Sequence, residues 1–457
     1  MPFQDLREFL DVLRQHGELI EINRPVNVVY DVAKALRKSN SRKGPALIFN
    51  QTGTDYRLVA GIYSTRKKAL LAFEATEENI FEKVLHGLDH PISPVQFSGP
   101  APCHEVVITG KDIDIRKFPI PTYSPKDGGP FITPAIAVSK DPETGVPDIG
   151  HYRFQVLGPD RLGFFAQIFH RFGKNITKAQ KMGVKLQGAI CLGNDPIMGY
   201  ACQVQGPDTV NDWEVAGGLR GAAVELVRCK TVDVEVPATT EMVIEFEVDV
   251  DHLAMEGPLG EYTGYYTPAS EKPTVRITAI THRKNPYVQG LLTGKPENEN
   301  HILKQIPFEA SCWRMLNKQF PTVEKVCVTP SGGVQLYMII AMQPRFAGEA
   351  RQVMMAALAS NVRPKWVIVV EPDIDVHNPT EVEWAMSFRV RPAHDIFVMD
   401  HVPATHLDPS VNEKVGPLNT HLASAIGIDA TRPVGQPFAD VADVPGWRDF
   451  AMPELDK

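Results

Sequence analysis

Two carboxylates stand five positions apart in Glu256-Gly-Pro-Leu-Gly-Glu261, and the glycines and proline between them favour a tight loop. Carboxylates held close together repel, and an apolar surround raises the pKa of one of them, which gives a proton donor near neutrality. The aromatics that follow, Tyr262, Tyr265 and Tyr266, suit an enclosed loop better than a wet one. A cation is needed to keep the second carboxylate ionised, and Arg153 in Asp148-Ile-Gly-His-Tyr-Arg offers one. If residues 151–157 are extended, Tyr152, Phe154 and Val156 face a hydrophobic layer while His151, Arg153 and Gln155 face the other way. Such a strand suits the wall of a ligand cavity; a half-buried strand with a wet outer face is the alternative.

Asp148, His170 and Glu225 offer oxygen, nitrogen and oxygen, a hard to borderline donor set for Mn²⁺, Mg²⁺ or Fe²⁺. Their spacing forms no local motif. Arg171, beside His170, is a natural binder of phosphate. The six cysteines are scattered without a C-x-x-C pair, which argues for buried free thiols. No P-loop, strand-borne G-x-G-x-x-G, H-E-x-x-H or G-x-S-x-G occurs.

The elements that must position these groups fall into three stretches of a 457-residue chain, long enough for about three domains. Residues 1–100 alternate helix and strand: Phe3, Leu6, Phe9, Leu10 and Leu13 follow a helical period ended by Gly17, and GELIEINRPV reads as a strand. From 101 to 310 short strands separated by Pro/Gly turns predict a barrel or sandwich, with EMVIEFEVDV alternating cleanly. One helix interrupts it at about 210–228, where Gly217, Gly218 and Gly221 weaken helical propensity and imply close approach of backbone or ligand. From 311 to 457, strand, helix and strand alternate as a small α/β domain. Within it Asn378, Pro379 and Glu381 mark a helix start. The tail from about 430 lacks a period and is expected to wrap over another domain or subunit. A formal charge of -8 without a basic stripe argues against nucleic acid. No apolar run approaches a membrane span and no leader is visible at Met1, so a cytoplasmic protein is expected.

In these same residues the chain resembles the UbiD family of reversible, prenylated-FMN-dependent decarboxylases. The likeness runs through DIGHYRFQV, AQIFHRFG, GPDT, GLRGAAVELV, EVPATTEMVIE, EGPLGEYTGYY, LLTGKP, PKWVIVVEPDIDVHNPTEVEWAMSFRVRP and GIDATRP, in that order. The resemblance implies a central flavin-reductase-like split β-barrel flanked by N-terminal and C-terminal α/β domains, the last contributing dimerisation, with hexamers in some members. It implies Arg153, Glu256 and Glu261 as the catalytic set. Arg153 and Glu256 would orient the carboxylate and Glu261 would protonate the carbon that loses CO₂ from a covalent prenylated-FMN adduct. The substrate class implied is an aromatic, heteroaromatic or α,β-unsaturated carboxylic acid.

Metal ligands implied by the resemblance are Asp148, His170 and Glu225, with Mn²⁺ expected and K⁺ nearby. Asp148 stands where the family has asparagine, which adds a negative charge beside the cofactor phosphate. Contacts to the cofactor are further implied for His151, Tyr152, Arg153, Gln167, Arg171 and Lys365. A separate flavin prenyltransferase would supply the cofactor. The rival readings are a redox flavoprotein on the same barrel and a non-catalytic subunit of a multi-component decarboxylase.

Overall fold

The computed structural model describes residues 2–167, 170–204, 208–411, 413–415, 420–446 and 450–452. Its centre is a closed antiparallel barrel. The six strands, going round, are Phe131–Lys140, Pro147–Val156, Arg161–Phe164, Ser270–His282, Met242–Glu256 and Gln187–Leu192, the last pairing back onto the first. Closure of the ring pairs each strand on both sides within the barrel. The strand Val106–Thr109 adds onto Ser270–His282 from outside.

The expected alternation holds along the strand that carries the arginine. Phe154 is fully buried in the barrel core, where its ring meets Phe164 at 5.9 Å and Phe246 at 5.8 Å. Each such phenylalanine contributes roughly 1.5–3 kcal/mol by leaving water. Met242, Ile244, Phe246 and Val248 line the same interior from the long strand Met242–Glu256. His151, Arg153 and Gln155 are thereby turned to the outside of the barrel.

A four-stranded sheet lies to the N-terminal side: Leu19–Ile22, Ala46–Phe49, Arg57–Ala60 and, from beyond the barrel, Tyr287–Gln289. The chain thus returns to its first sheet before leaving the second domain. A 21-residue helix, Glu299–Gln319, then crosses to the C-terminal sheet, which orders Val323–Val328, Tyr337–Met342, Trp366–Val370, Thr420–Asp429 and Ile396–Pro403. Glu413–Val415 pairs with Thr420–Asp429 at its edge. The Pro379 helix starts as expected, the Asn378 side chain accepting from the Thr380 amide. Glu381, however, accepts from the Asp375 amide instead of closing a capping box.

The helix expected over 210–228 is shorter. It spans Asp212–Arg220 and stops at Gly221, whose φ of +73° caps it in the left-handed region. Glu225–Arg228 is instead a strand, paired with Val95–Gln96 and Glu235–Pro237. The glycines serve backbone contact: a Cβ on Gly218 would sit 2.1 Å from the Gly87 carbonyl oxygen, and one on Gly217 2.4 Å from that of Ile92. Gly218→Ala should therefore cost about 2–3 kcal/mol through forced separation of the two helices. Gly221→Ala meets no neighbour within 4 Å. It should cost only about 1 kcal/mol of backbone strain. Urea-unfolding midpoints of the two variants check the order.

Candidate active site

Arg153 is the hub of the site. Its Nε and Nη2 donate side-on to the two oxygens of Glu256 at 2.8 and 2.9 Å. Nη1 donates to Glu261 and to the Thr267 hydroxyl, the latter at 2.7 Å. Glu256 is 1% exposed and Glu261 16%. Burial works against the guanidinium charge, but the hydrogen bonds and fields of Glu256 and Glu261 outweigh it and hold the group above its ordinary pKa. The two carboxylates and the cation that the sequence singles out therefore meet at one point, 103 and 108 positions apart in the chain.

The local fold explains how. Glu256 ends the long barrel strand, and Gly257 turns the chain at φ +88°. The Gln155 amide braces that turn, accepting from the Gly257 N–H and donating to the Gly128 carbonyl, both at 2.8 Å. Leu259–Gly260 then pairs with Tyr266–Thr267 in a short hairpin whose tip presents Glu261. Asp127 secures it by accepting from the Gly260 amide at 3.1 Å.

The helix Glu299–Gln319, from outside the barrel, and the turn at Gln335 pack against this hairpin. His301, fully buried, donates from Nε2 to the Tyr262 carbonyl at 2.7 Å, while its Nδ1 accepts from the Asn298 amide at 3.2 Å. Those two partners set the tautomer. The Tyr262 hydroxyl reaches Gln335 at 2.9 Å, and the Lys304 ammonium lies 4.0 Å from the centre of the Tyr262 ring. Lys304 has no carboxylate or hydrogen-bond partner among the described residues, and Glu261 is the acid whose field acts on it. Sequence reasoning passed over Lys304, because the helix that carries it was not foreseen.

A second polar cluster lies up the same strand. Arg171 donates to Asp212 at 2.8 Å and to the carbonyls of Pro147 and Val210, and its Nε lies 3.6 Å from Asp148. Asp212 also accepts from the Ile149 amide at 2.9 Å. Burial, with the Asp212 charge adding to it against the pull of Arg171, pushes Asp148 up to about 7. His170 stands at the N-cap of the helix Arg171–Met182, 6.5 Å ring to ring from Tyr152. Tyr152 packs on Phe172 at 5.1 Å, on the barrel side.

Glu225 does not join this group. It is exposed at the start of its strand and makes no side-chain hydrogen bond or ion pair among the described residues. Because the helix ends at Gly221, the acid set beside Asp148 is Asp212 in the first helical turn. An acid there reads from sequence as an ordinary helix-dipole partner. Among the described residues, neither Asp148, His170 and Glu225 nor Asp148, His170 and Asp212 bring their ligand atoms within 4.8 Å of one another.

The remaining expected residues are spread around the rim. His151 is half-buried, accepts at Nδ1 from Gln203 at 2.6 Å, and is pushed down to about 4 by burial and the nearby Lys304 ammonium. Gln167 lies 3.1 Å from the His406 ring nitrogens, a contact from the C-terminal domain. Lys365 pairs with Asp408 at 2.9 Å and Ser410 at 2.6 Å beside a cavity of about 430 Å³. His406 and Lys304 are site residues that no motif announced.

Comparison with known proteins agrees with this geometry. Residues 95–296 match the 3-octaprenyl-4-hydroxybenzoate carboxy-lyase Rift-related domain, 301–430 the C-terminal domain and 10–88 the N-terminal domain of the same family. The chain belongs to the UbiD family of carboxy-lyases.

The UbiD-class enzyme HmfF from Pelotomaculum thermopropionicum, seen with FMN, is 32% identical with a TM-score of 0.91, over 99% of this chain and 100% of that one. An evolved dimeric form of HmfF, seen with prFMN, gives a TM-score of 0.88 at 32% identity, with 99% and 100% covered. The apo 3,4-dihydroxybenzoic acid decarboxylase AroY from Klebsiella pneumoniae is 28% identical with a TM-score of 0.90, over 99% and 100%. No helix among the described residues is long and apolar enough to cross a membrane.

The buried His301 yields a pH prediction. Burial, against the hydrogen bonds made with the Tyr262 carbonyl and the Asn298 amide, lowers its pKa from the ordinary 6.5 to about 4. The unfolded chain therefore binds the proton first, so stability is full above 6.5 and is lost as pH falls towards 4. Between pH 7.5 and 5 this group should remove about 2 kcal/mol. His301→Gln should lack that increment when urea midpoints are compared at the two pH values.

Proposed function

We propose that this protein is a non-oxidative decarboxylase that removes CO₂ from an aromatic, heteroaromatic or α,β-unsaturated carboxylic acid with prenylated FMN as its cofactor. The observation that carries the reading is the Arg153 guanidinium shared between Glu256 and Glu261 at a partly enclosed outer face of the barrel. A flavin reductase has no need for an arginine locked between two acids. A purely structural subunit has no use for the desolvation cost of such a group.

The residues fit an anionic cofactor. The half-buried Lys304 ammonium has no carboxylate partner among the described residues and favours phosphate. When bound, prenylated FMN supplies an electron sink for the carbon that loses CO₂. Arg153 orients the substrate carboxylate, and Glu256 keeps the guanidinium fixed and charged. Glu261, at a hairpin tip, would take a proton from solvent on parting from Arg153 and pass it to the carbon that has lost CO₂. Excluding water lets the carboxylate shed its charge as neutral CO₂ more readily.

The donor set for the divalent ion, Mn²⁺ before Mg²⁺ or Fe²⁺, is Asp148 and His170 with Asp212 in the place expected of Glu225. Asp148, buried, and Asp212, half-buried, share one arginine, and a divalent ion would favour the ionised form of both. K⁺ nearby, a homodimer or a hexamer built from it, and supply of the cofactor by a separate flavin prenyltransferase belong to the same reading. So does a cytoplasmic location.

Glu261→Gln, produced together with a flavin prenyltransferase, should lose turnover at least 100-fold while its ultraviolet–visible spectrum shows cofactor still bound. Wild-type decarboxylation by that variant, or NADPH oxidation without CO₂ release by the parent, would overturn the reading. Asp212→Asn should lose bound metal and flavin together, whereas Glu225→Gln should keep both. Metal analysis beside flavin absorbance separates the two, and loss in Glu225→Gln alone would restore Glu225 to the ligand set.

A further inference from the structure

Away from the barrel, one set of three described side chains brings potential metal-ligating atoms within 4.8 Å of one another: Glu309, Cys327 and His377. They come from three separate segments. Glu309 lies on the helix Glu299–Gln319, Cys327 on the strand Val323–Val328, and His377 in the loop before the helix Pro379–Arg389. Nothing in the decarboxylase reading uses them.

We propose that Glu309, Cys327 and His377 form a zinc site that clasps the C-terminal domain to the rest of the chain. The donor chemistry is one thiolate sulfur, one imidazole nitrogen and one carboxylate oxygen. That mixture suits Zn²⁺ and is too soft for Mg²⁺ or Ca²⁺. Three protein ligands leave a fourth tetrahedral position for water on the side of His377, the exposed member, while Glu309 and Cys327 are buried. The buried pair is pre-positioned by packing of the helix on the strand, where Cys312 and Leu316 meet Val326 and Val328.

Neighbouring charges support a divalent cation. One Glu309 oxygen accepts from Arg66 Nη1 at 2.9 Å and the other from the Val328 amide at 3.2 Å, which fixes the carboxylate and leaves lone pairs free. Arg66 is itself neutralised by Glu77, whose oxygens take its Nε at 2.7 and 2.8 Å. Arg66, Glu77 and Glu309 therefore sum to one negative charge. Binding breaks the Cys327 S–H bond, sends the proton to solvent and leaves a thiolate, so the site carries two negative charges that Zn²⁺ offsets. Through Arg66 the site also reaches the first domain, so an ion there lies where that domain meets the C-terminal one.

The test is independent of catalysis. Full-length protein freed of metal by a chelator should take up Co²⁺ with thiolate-to-cobalt charge-transfer absorption in the near ultraviolet, which Zn²⁺ then abolishes. The proposed catalytic ion has only oxygen and nitrogen donors and cannot give that band. Cys327→Ser should lose it. His377→Ala, a surface change that leaves the fold intact, should weaken the Zn²⁺ competition roughly tenfold or more. A wild-type protein that binds Co²⁺ without the band, or a band unchanged in His377→Ala, would overturn the site. Either result would leave the decarboxylase reading untouched.

Discussion

The structure depends on a buried cation that must be matched. Arg153 is 11% exposed, and an arginine cannot shed its proton to escape burial. Two unit charges about 4 Å apart attract by roughly 4 kcal/mol at the effective dielectric near a protein surface, which repays desolvation only if the geometry is good. Glu256 supplies that geometry side-on, with both oxygens, and is itself almost fully buried. The barrel makes the match possible by closing: the arginine strand and the strand ending at Glu256 belong to one hydrogen-bonded ring. Glu261, on its hairpin, takes one nitrogen of the same guanidinium and is more exposed than Glu256.

Around this pair the other domains act as fasteners. His301 grips the Tyr262 carbonyl from the helix that links barrel to C-terminal sheet, Gln335 takes the Tyr262 hydroxyl, and His406 meets Gln167. Each contact crosses from the third domain or its linking helix to a segment next to Arg153, Glu261 or His170. Catalytic order in this family member is therefore a property of three domains together, which fits family matches that run from residue 10 to residue 430.

Much of this was legible in the sequence, for identifiable reasons. Period-two alternation put Arg153 and Gln155 outside the barrel and Phe154 within it, and a Gly-Pro-Leu-Gly spacer forced Glu256 and Glu261 into one loop. Where period gave way to cap chemistry, reading failed. A helix carried through to 228 hid the stop at Gly221, and the pairing of Asp212 with Arg171 went unread because an acid in a first helical turn looks structural. Gly217 and Gly218 of that helix admit another backbone, as the expected close approach allows. Lys304, His301 and His406 were silent since their meaning comes only from partners far away in the chain. Cys327 is the buried free thiol that the scattered cysteine spacing predicts, and its neighbours Glu309 and His377 come from other segments.

The most direct test of the central claim is where the proton goes. The holoenzyme, turning over an accepted carboxylic acid in D₂O, should release CO₂ and place one deuterium at the carbon that bore the carboxylate, with Glu261 as the donor in exchange with solvent. Product formed without deuterium at that carbon, or oxidised product without CO₂, would contradict the account.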